Sequence, residues 1–364
     1  MTWPPADPMP GGWSPSNRIV TPDQMTQLKD AAIAAADGLV WADVALINNV
    51  ASKTALDPTI GRFPIYDPAS GFFYSFSSDV GDPPGGYRSR SGGQWYSLTI
   101  PTGAGLQVTR ESAAVSPAGK FVLGGGTSSD SAQKYRTATN GVDWAIRDSS
   151  FDGTGGPGAI VHSDPLGLFI TAISASVETS PDGEAWTPRT VPASSDNRAQ
   201  GVAGVDGSGE PLIIFGGSTA TNIITSRDAV AWAHRPLNIG IFGAASFFHS
   251  DYYSRFYMWG AQPGTRLYSS SDGVTWSSTG LGLLPGSPGA EAFTVVRGRL
   301  FVTAYNSVGV VRYAWSIDGG ESWTLADDLA STGGVTGIAI SPGGQVCIVN
   351  SDGGHFVTRR GGYV

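Results

Sequence analysis

The sequence predicts an all-β fold, a seven-bladed β-propeller of four-stranded sheets, preceded by a short N-terminal extended arm and one α-helix. Two repeats predict it: a tryptophan-ended turn that recurs six times, and a second turn, out of phase with the first, that recurs seven times. Composition agrees. Of 364 residues, 51 are glycine, 24 are proline and only 14 % are charged, which suits many short strands joined by turns. The chain is long enough for a large core, and closed all-β rings of this size are built as single domains.

The first repeat aligns on tryptophan. Its copies are Ser89-Arg-Ser-Gly-Gly-Gln-Trp95, Ala138-Thr-Asn-Gly-Val-Asp-Trp144, Ser180-Pro-Asp-Gly-Glu-Ala-Trp186, Ser226-Arg-Asp-Ala-Val-Ala-Trp232 and Ser270-Ser-Asp-Gly-Val-Thr-Trp276. The sixth, Ser316-Ile-Asp-Gly-Gly-Glu-Ser-Trp323, is one residue longer. Successive tryptophans lie 42 to 49 residues apart, the period of a four-stranded blade. The second repeat places a turn such as Asp67-Pro-Ala-Ser-Gly71, Asp164-Pro-Leu-Gly167 or Asp206-Gly-Ser-Gly209 before a strongly apolar run. Phe72-Phe-Tyr-Ser-Phe76, Leu212-Ile-Ile-Phe215 and Phe256-Tyr-Met-Trp259 are such runs and read as buried central strands. Each unit is therefore strand, turn, apolar strand, loop, third strand, Asp-Gly turn and a fourth strand opening on Trp.

The seventh unit lacks its Trp turn, and its third strand falls at His355-Phe-Val-Thr-Arg-Arg360. A strand from the N-terminal side, within residues 38–60, is expected to complete it and remove the exposed edge. Asp37-Gly-Leu-Val-Trp41, followed by Ala42-Asp-Val-Ala-Leu-Ile47, is the candidate donor; in the rival reading Trp41 only follows a helix cap. The expected domains are 1–60, an anchoring arm, helix and ring-closing segment, and 61–364, the propeller. Residues 1–17 are rich in Pro, Gly and Trp and read as an extended arm. Thr21-Pro-Asp-Gln24 is a capping box, Met25, Leu28, Ala32 and Ala35 follow at helical spacing, and Gly38 suits the C-terminal cap. So thin an apolar stripe suits a partner better than a core, and Trp3, Trp13, Met25, Leu28 and Ala32 are the expected anchoring residues.

The net charge of −8, without a Lys/Arg run, argues against a nucleic-acid partner. No stretch reaches membrane-spanning length, so no membrane insertion is expected. The single cysteine, Cys347, sits in the apolar run Gln345-Val-Cys-Ile-Val349 and reads as a buried small hydrophobe. Stability is then expected from packing and from homo-oligomerisation. The opening Met-Thr-Trp-Pro-Pro-Ala has neither the charged nor the apolar region of a signal peptide, so synthesis in the cytoplasm is expected.

In the repeated turn Asp can accept backbone N–H bonds, Ser two residues earlier adds a hydroxyl, and Gly supplies backbone freedom. Trp then begins the next strand and buries its ring, contributing roughly 2–3 kcal/mol. Six copies spread around a ring cannot converge on one substrate. Ser91 and Asn140 replace the Asp in two copies and keep hydrogen bonding without the charge. The expected structural residues are thus Ser89, Ser91, Trp95, Asn140, Trp144, Ser180, Asp182, Trp186, Ser226, Asp228, Trp232, Ser270, Asp272, Trp276, Ser316, Asp318 and Trp323.

Ser316-Ile-Asp-Gly-Gly-Glu-Ser-Trp323 resembles the Asp-box, or BNR repeat, of sialidase-like β-propellers, whose pattern is S-x-D-x-G-x-x-W. The other copies are a shorter form, with Ala229 in place of the Gly and Ala138 in place of the Ser. The resemblance spans about five-sixths of the chain, and the family includes enzymes and non-enzymes. It implies a ligand face opposite the turns, on the second-to-third-strand and blade-to-blade loops. Arg62-Phe-Pro64 is similar to the Arg-Ile-Pro-type motif of sialidases, whose arginines bind substrate. Glycoside hydrolysis needs two carboxyl groups facing one bond. On loop position Arg62, Asp196, Arg198 and Glu291 are the candidate ligand-binding residues, with Arg110, Arg312 and Asp327 as further recruits; the loops are otherwise Gly- and Pro-rich. No catalytic residue is assigned. His162, His234, His249 and His355 lack ligand spacing, so no metal and no cofactor is expected. Tyr252, Tyr253 and Trp259 could stack on sugar but read better as core and edge packing.

The function these residues point to is a non-enzymatic bacteriophage virion protein of the tail-fibre, receptor-binding or decoration type. Its N-terminal arm and helix would bind other virion proteins, and the propeller would face a host cell-surface glycan. The alternatives are a sialidase-like glycoside hydrolase and an intracellular scaffold propeller.

Overall fold

The computed structural model describes residues 54–55, 63–76, 85–90, 95–101, 112–125, 134–149, 158–173, 176–192, 200–216, 222–237, 239, 244–260, 266–283, 292–307, 310–325, 334–341, 345–350 and 354–357. These residues form seven four-stranded antiparallel sheets. The short strand β1 (Thr54–Ala55) comes first in the chain and is taken up last, below.

Sheet 1 holds β2 (Phe63–Asp67), β3 (Phe72–Phe76), β4 (Gly85–Ser89) and β5 (Tyr96–Thr99) in sequence order. Sheet 2 holds β6 (Ala113–Val115), β7 (Phe121–Gly125), β8 (Lys134–Ala138) and β9 (Ala145–Asp148). Sheet 3 is β10 (Ala159–Ser163), β11 (Leu168–Ile173), β12 (Ser176–Ser180) and β13 (Thr187–Arg189). Sheet 4 is β14 (Gln200–Val205), β15 (Pro211–Gly216), β16 (Asn222–Ser226) and β17 (Ala233–Pro236). Sheet 5 is β18 (Ala244–Ser250), β19 (Arg255–Gly260), β20 (Arg266–Ser270) and β21 (Ser277–Leu283). Sheet 6 is β22 (Ala292–Arg297), β23 (Leu300–Ser307), β24 (Val310–Ser316) and β25 (Thr324–Leu325). Sheet 7 contains β26 (Val335–Ile340), β27 (Val346–Asn350) and β28 (Gly354–Val357), and its fourth position is taken by β1.

The first strands form an inner ring. β2 lies against β6, β6 against β10, and so on to β22 against β26; β26 then lies against β2 and closes the circle. Position in the sheet sets the residue pattern. Second strands are covered on both faces by neighbouring sheets, so Leu212, Ile213, Ile214 and Phe215 of β15 are all buried. Fourth strands lie outermost and alternate, as in β9, where Ala145 and Arg147 are half-buried and Ile146 and Asp148 exposed.

The core is a set of joints between sheets. Tyr74 and Phe76 of sheet 1 pack with Phe121, Leu123 and Trp144 of sheet 2. At the closing joint Phe73 and Trp95 of sheet 1 pack with Ala339, Cys347 and Val349 of sheet 7. Cys347 is fully buried, and burial pushes its thiol above the ordinary range.

β1 pairs antiparallel with β28 through Thr54 opposite His355 and Ala55 opposite Gly354. The closing strand therefore lies inside the expected 38–60 window, but beyond Ala42–Ile47. Asp37–Ile47 falls outside the described residues, as do the arm, the helix over 21–36 and the anchoring residues Trp3, Trp13, Met25, Leu28 and Ala32. Among the described residues there is no α-helix, and no helix is long and apolar enough to cross a membrane.

Candidate functional site: the serine–aspartate turns and the cleft between sheets 4 and 5

Antiparallel order puts the first-to-second-strand turns and the third-to-fourth-strand turns at one end of the ring. The opposite strand ends lead into the remaining connections, which lie almost wholly outside the described residues. Arg62, Asp196, Arg198 and Glu291 fall in those connections, with Arg110 and Asp327, and the structure neither brings them together nor separates them. Arg312 is half-buried in β24.

The third-to-fourth-strand turns repeat one geometry. In sheet 3 the Ser180 hydroxyl donates to Asp182 Oδ1 (3.1 Å) and accepts from Gly183 N–H (2.8 Å). Asp182 Oδ1 also accepts from Glu184 N–H (2.8 Å) and Ala185 N–H (3.2 Å). Trp186 Nε1 then donates to Gly183 O at 3.1 Å. Sheet 5 repeats these turn bonds at Ser270 and Asp272, with Val274 and Thr275 N–H at 2.8 and 2.7 Å. In sheet 4 Asp228 takes Ser226 Oγ–H and the N–H groups of Val230 and Ala231. The longer sixth copy shifts by one residue: Ser316 Oγ accepts from Gly320 N–H, and Asp318 Oδ1 from Ser322 N–H. In sheet 2 the amide does the same work, since Asn140 Oδ1 accepts from Val142 and Asp143 N–H, both at 2.9 Å. Ser89 is buried with Trp95 in sheet 1, while Ser91 lies outside the described residues.

These donors fix the carboxylates as anions. The N–H of Glu184 holds Asp182 below the ordinary carboxylate range, and that of Ala231 does so for Asp228. At Asp272 and Asp318 burial opposes ionisation but is outweighed by Thr275 and Val274 N–H and by the Ser322 hydroxyl and N–H. An anion saturated by its own turn is poorly suited to proton transfer, which works best near the operating pH.

Each turn also packs on the sheet before it. A Cβ at Gly183 would meet Val122 Cγ2 at 2.4 Å, and one at Gly273 would meet Leu212 Cδ2 at 2.5 Å. Trp186 stacks on Tyr135 of sheet 2 with centroids 4.3 Å apart, and Trp144 meets Phe76 of sheet 1 at 5.6 Å. The turns are therefore clasps between neighbouring sheets.

Other candidates resolve in the same way. Trp259 is fully buried and donates to Thr294 Oγ1 at 2.7 Å, and Tyr253 donates to Ile317 O at 2.9 Å. His162 meets Asp164 at 2.6 Å and His249 meets Asp251 at 3.1 Å, with His249 Nε2 at 2.7 Å from Val205 O. His234 lies 3.3 Å from Pro192 O. Among the described residues no group of three or more His, Cys, Asp or Glu forms a metal site.

Between sheets 4 and 5 a cleft of about 280 Å³ is lined by Leu212, Arg227, Asp228, Arg235, Asp272 and Val274. Arg227 pairs with Asp206 of the first turn of sheet 4 at 2.5 Å. Burial opposes ionisation of Asp206, but Ser208, Arg227 and the N–H of Glu210 hold it well below the ordinary range. Sequence reasoning missed this pair. Its one signal is an arginine following the turn serine, present at Arg90 and Arg227 only.

No protein-family model and no curated protein matches the chain. Solved structures do, and they define its class as an all-β propeller. A catalytically inactive virginiamycin B lyase from Staphylococcus aureus, solved with quinupristin, aligns with TM-score 0.64 and 8 % identity, over 84 % of this chain and 97 % of that one. A GH74 enzyme of Niastella koreensis aligns at 0.60 and 16 %, over 85 % of this chain and 53 % of that one. The WD40 propeller domain of Doa1 aligns at 0.59 and 13 %, over 85 % and 95 %. At such identities the likeness is one of fold, shared by enzymes and a WD40 domain.

Proposed function

We propose that this chain is a non-enzymatic adhesion component of a bacteriophage virion, an Asp-box-type propeller held to a larger assembly by its first sixty residues and facing a host-surface glycan. One observation carries the reading: Asp182, Asp228, Asp272, Asp318 and Asn140, the repeat aspartates and asparagine, are each bonded within their own turn. The repeated Ser–Asp chemistry is then spent on holding the ring together, and recognition falls to the loops at the opposite end. The Pro- and Trp-rich arm and thin helical stripe suit attachment to a partner.

The test pairs two experiments on the full chain. A panel of fluorogenic glycosides, including a sialoside, is expected to give no turnover, while the protein binds host cells. Robust turnover that is lost in Arg62→Ala would replace this reading by the glycoside hydrolase one.

A further inference from the structure

We propose that the joint between sheets 1 and 2, at the turn end of the ring, binds an oxyanion: a sulfate, phosphate or carboxylate group held by Arg88 and Arg90. The proposal is independent of glycan binding at the opposite end. The guanidinium of Arg88 lies 5.1 Å, and that of Arg90 4.7 Å, from the centroid of one ring, Phe72. Among the described residues no carboxylate pairs with either. Two like charges over one ring repel each other, and a shared anion relieves that repulsion while meeting planar, multi-donor guanidinium groups suited to it.

The groove between sheets 4 and 5 provides an internal comparison. Phe73 pairs with Ser89, and Ile213 with Ser226. One residue further along, Phe72 and Arg90 correspond to Leu212 and Arg227. Arg227 is neutralised because the first hairpin of sheet 4 continues past this point, pairing Val205 with Pro211 and bringing Asp206 to the guanidinium. In sheet 1 the hairpin turns earlier, at Asp67, whose carboxylate accepts from Ala69 and Ser70 N–H and is buried.

The turn residues differ in the same sense. The 4–5 groove is lined by two turn carboxylates, Asp228 and Asp272. At the joint of sheets 1 and 2 the repeat position of Asp272 is held by Asn140, in one of the two copies that lack the aspartate. Asn140 still accepts its turn N–H bonds, so the turn does not need the exchange. Its consequence is to remove negative charge from the joint that holds Arg88 and Arg90, with which no carboxylate pairs among the described residues. The remaining turn carboxylate there, Asp143, accepts from Asn140 Nδ2 at 2.7 Å.

The test uses the full chain at fixed low ionic strength, titrated with inorganic sulfate, inorganic phosphate, dextran sulfate and polygalacturonate and followed by calorimetry. Binding of at least one probe is expected, and the arms separate a free ion from a polymer-borne group. Arg88→Gln/Arg90→Gln should weaken it about ten-fold or more, Asn140→Asp should weaken it while keeping both arginines, and Arg227→Gln should leave it unchanged. Thermal melts confirm that each variant folds. Failure of every probe to bind, or binding unaltered in folded Arg88→Gln/Arg90→Gln, would overturn the proposal.

Discussion

At the residue scale the ring depends on backbone conformations that only some side chains allow. Gly141, Gly183, Gly273, Gly319 and Gly320 all have positive φ, and Ala229 takes the same left-handed conformation at φ 59°. Ala229 is fully buried beside Ile213 and Trp232. Gly183→Ala should destabilise by about 2–4 kcal/mol, because it adds left-handed strain to a Cβ 2.4 Å from Val122. Ala229→Gly should stay within about 1 kcal/mol of the parent, since relief of strain offsets a lost buried methyl and a freer unfolded chain. Denaturant unfolding of both variants checks the pair. The turn carboxylates also set a pH dependence. Their folded-state pKa values lie below the ordinary range, so their contribution is complete above about pH 4 and is lost as pH falls through and below that value. Asp182→Asn should keep the turn, as Asn140 does, and should flatten the acid limb of a stability–pH curve.

At the element scale the weak place is the seam. Six sheets are made of consecutive strands, but sheet 7 joins β26, β27 and β28 to β1 from the other side of the sequence. Among the described residues two residue pairs hold β1 to β28, and the seam also has the apolar joint of Phe73 and Trp95 with Cys347 and Val349. Removing residues 1–48 spares Thr54–Ala55 and should leave the melting temperature nearly unchanged. Removing residues 1–58 exposes the edge of β28; it should lower the melting temperature and raise hydrogen exchange in 346–357. Equal behaviour of the two truncations would show that β1 does not close the ring. Much of this element was legible in the sequence, because the seventh unit lacked its tryptophan turn. The strand itself was not. Asp37-Gly-Leu-Val-Trp41 looked like a copy of the repeat, whereas a two-residue strand has no periodicity by which to find it.

At the scale of the whole molecule, strand order and burial were readable because packing between sheets forces them. Second strands such as Leu212–Phe215 must be apolar on both faces, and the turn pattern must recur once per sheet. The cleft between sheets 4 and 5 and the joint of sheets 1 and 2 were not readable, since whether an arginine is neutralised depends on where a neighbouring hairpin turns, as Asp206 and Asp67 show. The loops opposite the turns carry no repeated pattern, so Arg62, Asp196, Arg198 and Glu291 stand on position alone. The proposed attachment through the first sixty residues makes a prediction of its own. A chain lacking residues 1–36 should fold but fail to co-sediment with virus particles, and its incorporation at wild-type levels would remove the anchoring role.

The central claim is that the serine–aspartate turns hold the ring together and perform no chemistry. The most direct test replaces Asp182, Asp228, Asp272 and Asp318 together by asparagine and compares the variant with the parent in host-cell binding, glycoside turnover and circular dichroism. The account predicts a folded protein with binding unchanged and turnover still absent. A variant that keeps its fold but loses cell binding, or a parent activity abolished by these four changes, would contradict it.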